Sequence, residues 1–211
     1  ACRALTIAGD ATAVPVLARH IASPELGSYA RLALESIPGE EASAALREAA
    51  LQLNGSALIG VIGSLAVRND PQAIAVLRTI STGEDRQARI AAIRALGRIG
   101  GRDGIVSLLR LIELEIEPVN EVAAAGLLAV ERTTDPAADE ASLALLRRIA
   151  ASTTAMPGGL VDGAKLQLIV AQTAEAESLL AEMLAAESLD SFRYGLQAAR
   201  RLEAGATTAL S

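Results

Sequence analysis

Helix-start signals recur along this 211-residue chain at a nearly constant interval. Asp10-Ala-Thr-Ala-Val-Pro-Val-Leu17 resembles Asp70-Pro-Gln-Ala-Ile-Ala-Val-Leu77, and Asp103-Gly-Ile-Val-Ser-Leu-Leu109 and Asp135-Pro-Ala-Ala follow. Asp70 lies 33 residues before Asp103, which lies 32 before Asp135. Asp10 precedes Asp70 by 60, two units of 30, with the intermediate unit opening at Gly39-Glu40-Glu41. A period of this size constrains the whole fold. One such unit cannot bury its apolar face alone and must stack on its neighbours.

Each unit reads as two helices. Asp at a boundary is a good N-cap, because its side chain accepts from the unpaired amides of the first turn. Pro71 and Pro136 follow Asp at the first helical position, where a missing N–H costs nothing. Gly9, Gly39, Gly55, Gly83 and Gly100 sit at the breaks, suited to C-caps and tight connections. The predicted pairs are 10–22 with 24–37, 40–53 with 56–68, 71–81 with 84–99, 103–116 with 119–132, 138–151 with 160–172, and 175–187 with 189–203. Residues 1–8 read as the end of an earlier second helix. The start Ala-Cys-Arg-Ala-Leu therefore predicts a piece of a longer protein.

The third unit carries a family mark. Ala88-Arg89-Ile90-Ala91-Ala92-Ile93-Arg94-Ala95-Leu96-Gly97-Arg98-Ile99-Gly100 resembles the second helix of HEAT repeats, in the subclass named after phycobilisome bilin lyases. The pattern there is roughly V-R-x-A-A-x-x-A-L-G, and only the first Val departs, to Ala88. Tyr29 to Glu35 and Ala123 to Leu128 are weaker copies. The resemblance implies an all-α fold: a right-handed α-solenoid of about six HEAT-like helix pairs, one repeat domain over 1–211. Its repeats run approximately 10–37, 40–68, 70–99, 103–132, 137–172 and 175–203. It implies a bacterial, armadillo-like repeat protein whose second helices line a surface for partners. It predicts a fold and no reaction.

Composition agrees with close-packed helices. Of the residues, 51 % are apolar but only 1 % aromatic. The apolar mass is Ala, Leu, Ile and Val, and Ala and Leu lose little rotamer freedom in a helix. Helix 56–68 has no charge until Arg68. A helix apolar all round is expected to be buried, here against its partner and both neighbouring repeats. Gly60, Gly63 and Ser64 would let the helices approach closely.

Several chemistries are disfavoured. The net charge of −6 and the lack of aromatic platforms argue against a nucleic-acid binder, including a DNA-lesion glycosylase of HEAT type. Aligning second helices on Leu96 puts Arg31, Ile62 and Ala125 in the column of Ile93. It puts Gly27, Leu58 and Glu121 in the column of Arg89. No column repeats a polar type, so no one-residue-per-repeat RNA code is present. Ala49 to Val67 is nineteen residues without a formal charge, but Asn54-Gly55-Ser56 is a turn signal that splits it. No membrane span is expected. Asn54-Gly55-Ser56 is also formally a glycosylation sequon and is read as that turn. With one histidine and one cysteine, a zinc site cannot be assembled, and no metal or cofactor is predicted. No apolar signal region follows the start. A cytoplasmic location is the default, and a periplasmic or extracellular one would require a signal in the parent chain.

His20 ends a first helix and reads as a surface or capping residue. Cys2 reads as a small core residue. Gly158 to Lys165 superficially resembles a phosphate loop, but Ala164 interrupts the motif and no strand precedes it. Glu113, Glu115, Glu117 and Glu121 around Pro118 read as a solvated helix end. Arg86, Arg89, Arg94 and Arg98 make helix 84–99 basic, with Glu84, Asp85 and Asp103 as possible pairs.

The expected function is a non-catalytic protein–protein interaction scaffold, binding another protein or a neighbouring domain. Tyr29, Arg31, Arg89, Arg94 and Glu121 are the expected partner-binding residues. The alternatives are a bilin lyase or isomerase, suggested only by the subclass name and opposed by the scarcity of aromatics, and a structural spacer within a multidomain protein.

Overall fold

The computed structural model describes residues 9–133, 139–152 and 156–208. The expectations for Cys2, for residues 1–8, and for Asp135 and Pro136 lie outside them. The described residues form twelve α-helices and no strand. The chain divides into two compact units, 1–99 and 100–211.

In the first unit the helices are α1 (Val14–His20), α2 (Gly27–Ser36), α3 (Glu40–Gln52), α4 (Gly55–Val67), α5 (Ile74–Ile80) and α6 (Arg86–Ile99). One-turn 3-10 helices, Ala11–Ala13 and Pro71–Ala73, lead into α1 and α5. The helices form two rows. The first-row helices α1, α3 and α5 touch in sequence, as do the second-row helices α2, α4 and α6. Each first-row helix packs on the second-row helix that follows it.

The second unit comprises α7 (Gly101–Glu113), α8 (Val119–Glu131), α9 (Glu140–Ala150), α10 (Gly158–Val170), α11 (Ala176–Ala185) and α12 (Leu189–Thr208). Here α7 touches α9 in one row, and α8, α10 and α12 follow one another in the other. The last pair, α11 and α12, closes on α10 around Leu166, Ile169, Met183 and Ala198.

Capping chemistry sets the helix starts. Asp10 Oδ1 accepts from the Thr12 amide at 3.0 Å, and Asp70 Oδ1 from the Gln72 amide at 3.0 Å. Asp85 caps α6 through Gln87 at 2.9 Å and Ala88 at 3.2 Å. Asp139 Oδ2 caps α9 through Ser142 at 2.9 Å. Asp103 departs from expectation. It lies inside the first turn of α7, which starts at Gly101 after Gly100 and Gly101 adopt φ 64° and 65°. Only glycine enters that region at little cost, so the pair turns the chain directly from α6 into α7.

Three helix ends use a different device. The residues after α4, α7 and α10 include Asn69, Glu115 and Gln172 at φ 53°, 51° and 52°. The next amide in each case bonds back five residues, Asp70 to Leu65 O, Ile116 to Leu111 O and Thr173 to Leu168 O. This is the Schellman arrangement, which glycine fits best. Exposed Gln172 carries a Cβ there, so Gln172→Gly is expected to raise stability by about 1 kcal/mol. A higher urea midpoint at unchanged slope is the expected reading, and a lower midpoint would contradict it.

Long-range polar bonds tie successive pairs. In α3, Arg47 bridges Glu40 and the buried carboxylate of Asp70, 2.6 Å away at the start of the next pair. Arg102 reaches Asp139 at 3.2 Å and Arg147 reaches Glu175 at 2.6 Å in the same sense. Arg68 just past α4 reaches furthest. Its guanidinium donates to the carbonyls of Leu34 (2.9 Å), Glu35 (3.0 Å), Ile37 (2.5 Å) and Gly39 (2.7 Å), and to Ser43 Oγ at 2.9 Å. The last carbonyls of a helix have no partner within it, and Arg68 supplies one from the next pair.

These ties imply an acid response. Hydrogen bonds from Ser142, with Arg102 nearby, hold Asp139 below its ordinary 3.8. The hydrogen bond from Arg147 does the same for Glu175, ordinarily 4.5. A carboxylate depressed in the folded state stabilises it above its ordinary value, and that contribution is lost as pH falls through the lower folded value. The urea midpoint should therefore drop below about pH 4. Asp139→Ala should flatten this acid limb, and an unchanged limb would contradict the assignment.

Candidate functional site

The second row of the first unit does not bury α4 completely. Leu58, Val61, Ile62, Leu65 and Ala66 are buried against α2, α3 and α6. Ser56, Ala57, Gly63 and Val67 remain exposed, Val67 at 49 %. The expectation that this apolar helix would be buried all round is corrected on this side. Three neighbours surround α4 and a fourth side stays open.

That open side is the floor of a groove of about 520 Å³ between α2 and α6. Gly60, Gly63, Val67, Ala91 and Ala95 form its small-residue lining. Its edges carry Arg31 and Glu35 from α2, and Arg94 and Arg98 from α6. Gly60 has a specific reason to be glycine. A Cβ there would lie 2.9 Å from Arg31 Nε, so the missing side chain lets Arg31 lie across the helix. Gly63 meets nothing within 4 Å and holds the groove open. Arg31 and Gly60 also border a second hollow beside Ser23, Ser28 and Ser56, which prolongs the valley between α2 and α4.

The charges are only partly compensated. Arg31 Nη1 donates to Ser64 Oγ at 2.6 Å and to Glu35 Oε2 at 3.4 Å. Ser64 Oγ in turn donates to Glu35 Oε2 at 2.6 Å. Arg98 is exposed and makes no hydrogen bond or ion pair among the described residues. The groove therefore combines small apolar residues with more positive than negative charge, in a chain of net charge −6. Such a surface suits a segment that carries an acidic side chain.

The expected partner-binding residues separate. Arg31 and Arg94 lie on the two edges of this groove. Tyr29 is exposed on α2 but does not line it. Arg89 is half-buried, and its Nη1 turns back to the carbonyl of Gly83 at 3.2 Å, while its Nε is buried without a partner. Glu121 belongs to α8 of the other unit and is half-buried. Glu35, Gly60, Gly63, Val67 and Arg98 join the site beyond the sequence expectation. The signal for Gly60, Gly63 and Val67 is the uncharged stretch of α4.

His20, Lys165, Glu115 and Glu117 have structural surroundings. His20 is exposed at the end of α1. Lys165 pairs with Glu182 at 2.8 Å, and α10 simply begins at Gly158. Glu115 lies 3.8 Å from Arg148, and Glu117 accepts from the Val119 amide. Among the described residues no three or more His, Cys, Asp or Glu converge as metal ligands, and no helix is long and apolar enough to cross a membrane.

No protein-family model and no curated protein matches this chain in comparison, so a functional reading rests on its own residues and on the geometry of the groove.

Proposed function

We propose that the chain is a right-handed HEAT-type α-solenoid and a non-catalytic scaffold, whose second-row helices bind a segment of a partner protein. The row pattern of the first unit, in which every helix touches its counterpart in the next pair, supports the solenoid. The observation that carries the binding role is the groove on α2, α4 and α6, with Gly63 open on its floor and Arg98 exposed on its edge. Exposed apolar floors with polar rims are where hot-spot contacts form.

The test pairs Gly63→Leu, which fills the groove, with Arg98→Glu, which inverts its edge. Gly63 has room for a side chain and Arg98 is exposed, so unfolding free energy should fall by no more than about 0.5 kcal/mol, and the helix propensity of Leu acts to raise it. A protein that copurifies with the wild-type chain should be lost from the double variant by about tenfold or more, equivalent to about 1.4 kcal/mol. Undiminished association would remove the groove from the binding role, and absence of any partner would favour a spacer.

A further inference from the structure

The groove of the first unit has a counterpart in the second, on α8, α10 and α12, with a volume of about 650 Å³. The two match at four positions. Glu35 on the first helix corresponds to Glu131, Gly60 and Val67 on the middle helix to Gly163 and Val170, and Arg98 on the third to Arg201. Intervals within the helices are the same. Arg31 and Leu127 each lie four residues before the glutamate, and Ala91 and Tyr194 each lie seven before the arginine. An independent contact confirms the register. A Cβ on Gly60 would meet Arg31, and a Cβ on Gly163 would meet Leu127, 3.4 Å away.

We infer that the chain carries two copies of one recognition groove, both for a short partner segment with oppositely charged side chains at its two ends. This inference rests on the binding role proposed above and specifies its ligand. Exposed Glu131 and Arg201 have no hydrogen bond or ion pair among the described residues, and neither has Arg98. Glu35 leaves one carboxylate oxygen uncommitted by Arg31 and Ser64. Each groove thus offers a negative anchor on its first helix and a positive anchor on its third.

Packed helices lie about 8–10 Å apart, so the two anchors are separated by about 16–20 Å. An extended segment advances about 3.3 Å per residue, which places about five residues between its charged ends. Valine and glycine on the middle helix favour small apolar side chains in between. The grooves differ at their centres. Arg31, Gly63 and Arg94 in the first unit are replaced by Leu127, Leu166 and Gln197 in the second, where Tyr194 also enters, so the open floor at Gly63 is a closed one at Leu166. The second groove should therefore prefer an aliphatic residue at its centre.

The probes are three synthetic heptapeptides with blocked ends: Glu-Ala-Val-Ala-Val-Ala-Lys, its reversed-charge form Lys-Ala-Val-Ala-Val-Ala-Glu, and a neutral form with Gln at both ends. Titration into the isotope-labelled full chain is followed by amide NMR shifts. One charged peptide should move the amides of Gly60, Gly63 and Gly163, with the neutral peptide at least tenfold weaker. Arg98→Glu should abolish the response in the first unit only, and Arg201→Glu in the second only. A response confined to one unit would overturn the duplication and leave the binding role standing. Equal binding of the neutral peptide would overturn the charged anchors. No response to either charged peptide, with partner capture by the groove intact, would overturn the ligand class alone. No response together with no capture would overturn both.

Discussion

Replacing Arg68 with alanine is expected to lower the unfolding free energy by about 3 kcal/mol. Its guanidinium bonds the carbonyls of Leu34 and Glu35 at the end of α2, and it also holds Ile37, Gly39 and Ser43. A hydrogen bond to a charged group contributes about 1.5–3 kcal/mol, and the five are not additive. The deeper cost is the acceptors left without a donor at the half-buried end of α2. Arg68→Lys should recover only part of the loss, since one ammonium lacks the planar fork that spans several carbonyls. Urea unfolding followed by helical circular dichroism reads both variants. A loss below about 1 kcal/mol for the alanine variant would mean that water replaces the guanidinium.

Two glycines should respond to the same substitution with opposite signs. A Cβ on Gly27 would sit 2.5 Å from the backbone carbonyl of Ile21, inside any real contact distance. The neighbour is backbone, so relief requires moving the connection between α1 and α2. Gly27→Ala should cost about 2–3 kcal/mol, as overpacking does. A Cβ on Gly63 meets nothing within 4 Å, and its φ is ordinary for a helix. Gly63→Ala should therefore stabilise by up to about 1 kcal/mol, the helix-propensity difference. The contrast has a functional side. A glycine that lowers stability where alanine fits calls for a reason other than packing, and the groove floor provides one.

Much of the helix layout was legible because local chemistry wrote it. Asp10 and Asp70 do cap the helices they precede, and Asn54 interrupts the uncharged run between α3 and α4. Where the reading slipped, a competing local signal was stronger. Asp103 looked like a cap, but the Gly100–Gly101 turn starts α7 earlier. The register test assumed that Leu128 matches Leu96. Leu96 is fully buried, whereas Leu128 is 42 % exposed and its neighbour Ala129 is buried. Buried Val130, matching Leu34 and Leu96, shows the fourth frame displaced by two residues, which puts Ala123 rather than Glu121 in the column of Arg89.

The site was harder to read than the helices. Arg68 acts on residues 25–34 positions away, and no periodicity announces such a bond. Arg31 occupies a column that is buried isoleucine in α4 and α6, which explains its ties to Ser64 and Glu35. Arg89 carries the family mark, yet it serves the turn at Gly83. The groove itself was visible as an uncharged helix, but whether such a helix is enclosed or open on one side depends on how many neighbours reach it.

The most direct test of the binding role is site-specific photo-crosslinking of the chain in its source cells. A photoreactive side chain is placed at position 63, on the groove floor, and separately at Leu51, 73 % exposed on the first-row helix α3. One discrete crosslinked partner is expected from position 63, absent from position 51 and lost on Arg98→Glu. Crosslinking to that partner from position 51 alone, or equal yields from both positions, would contradict the binding role.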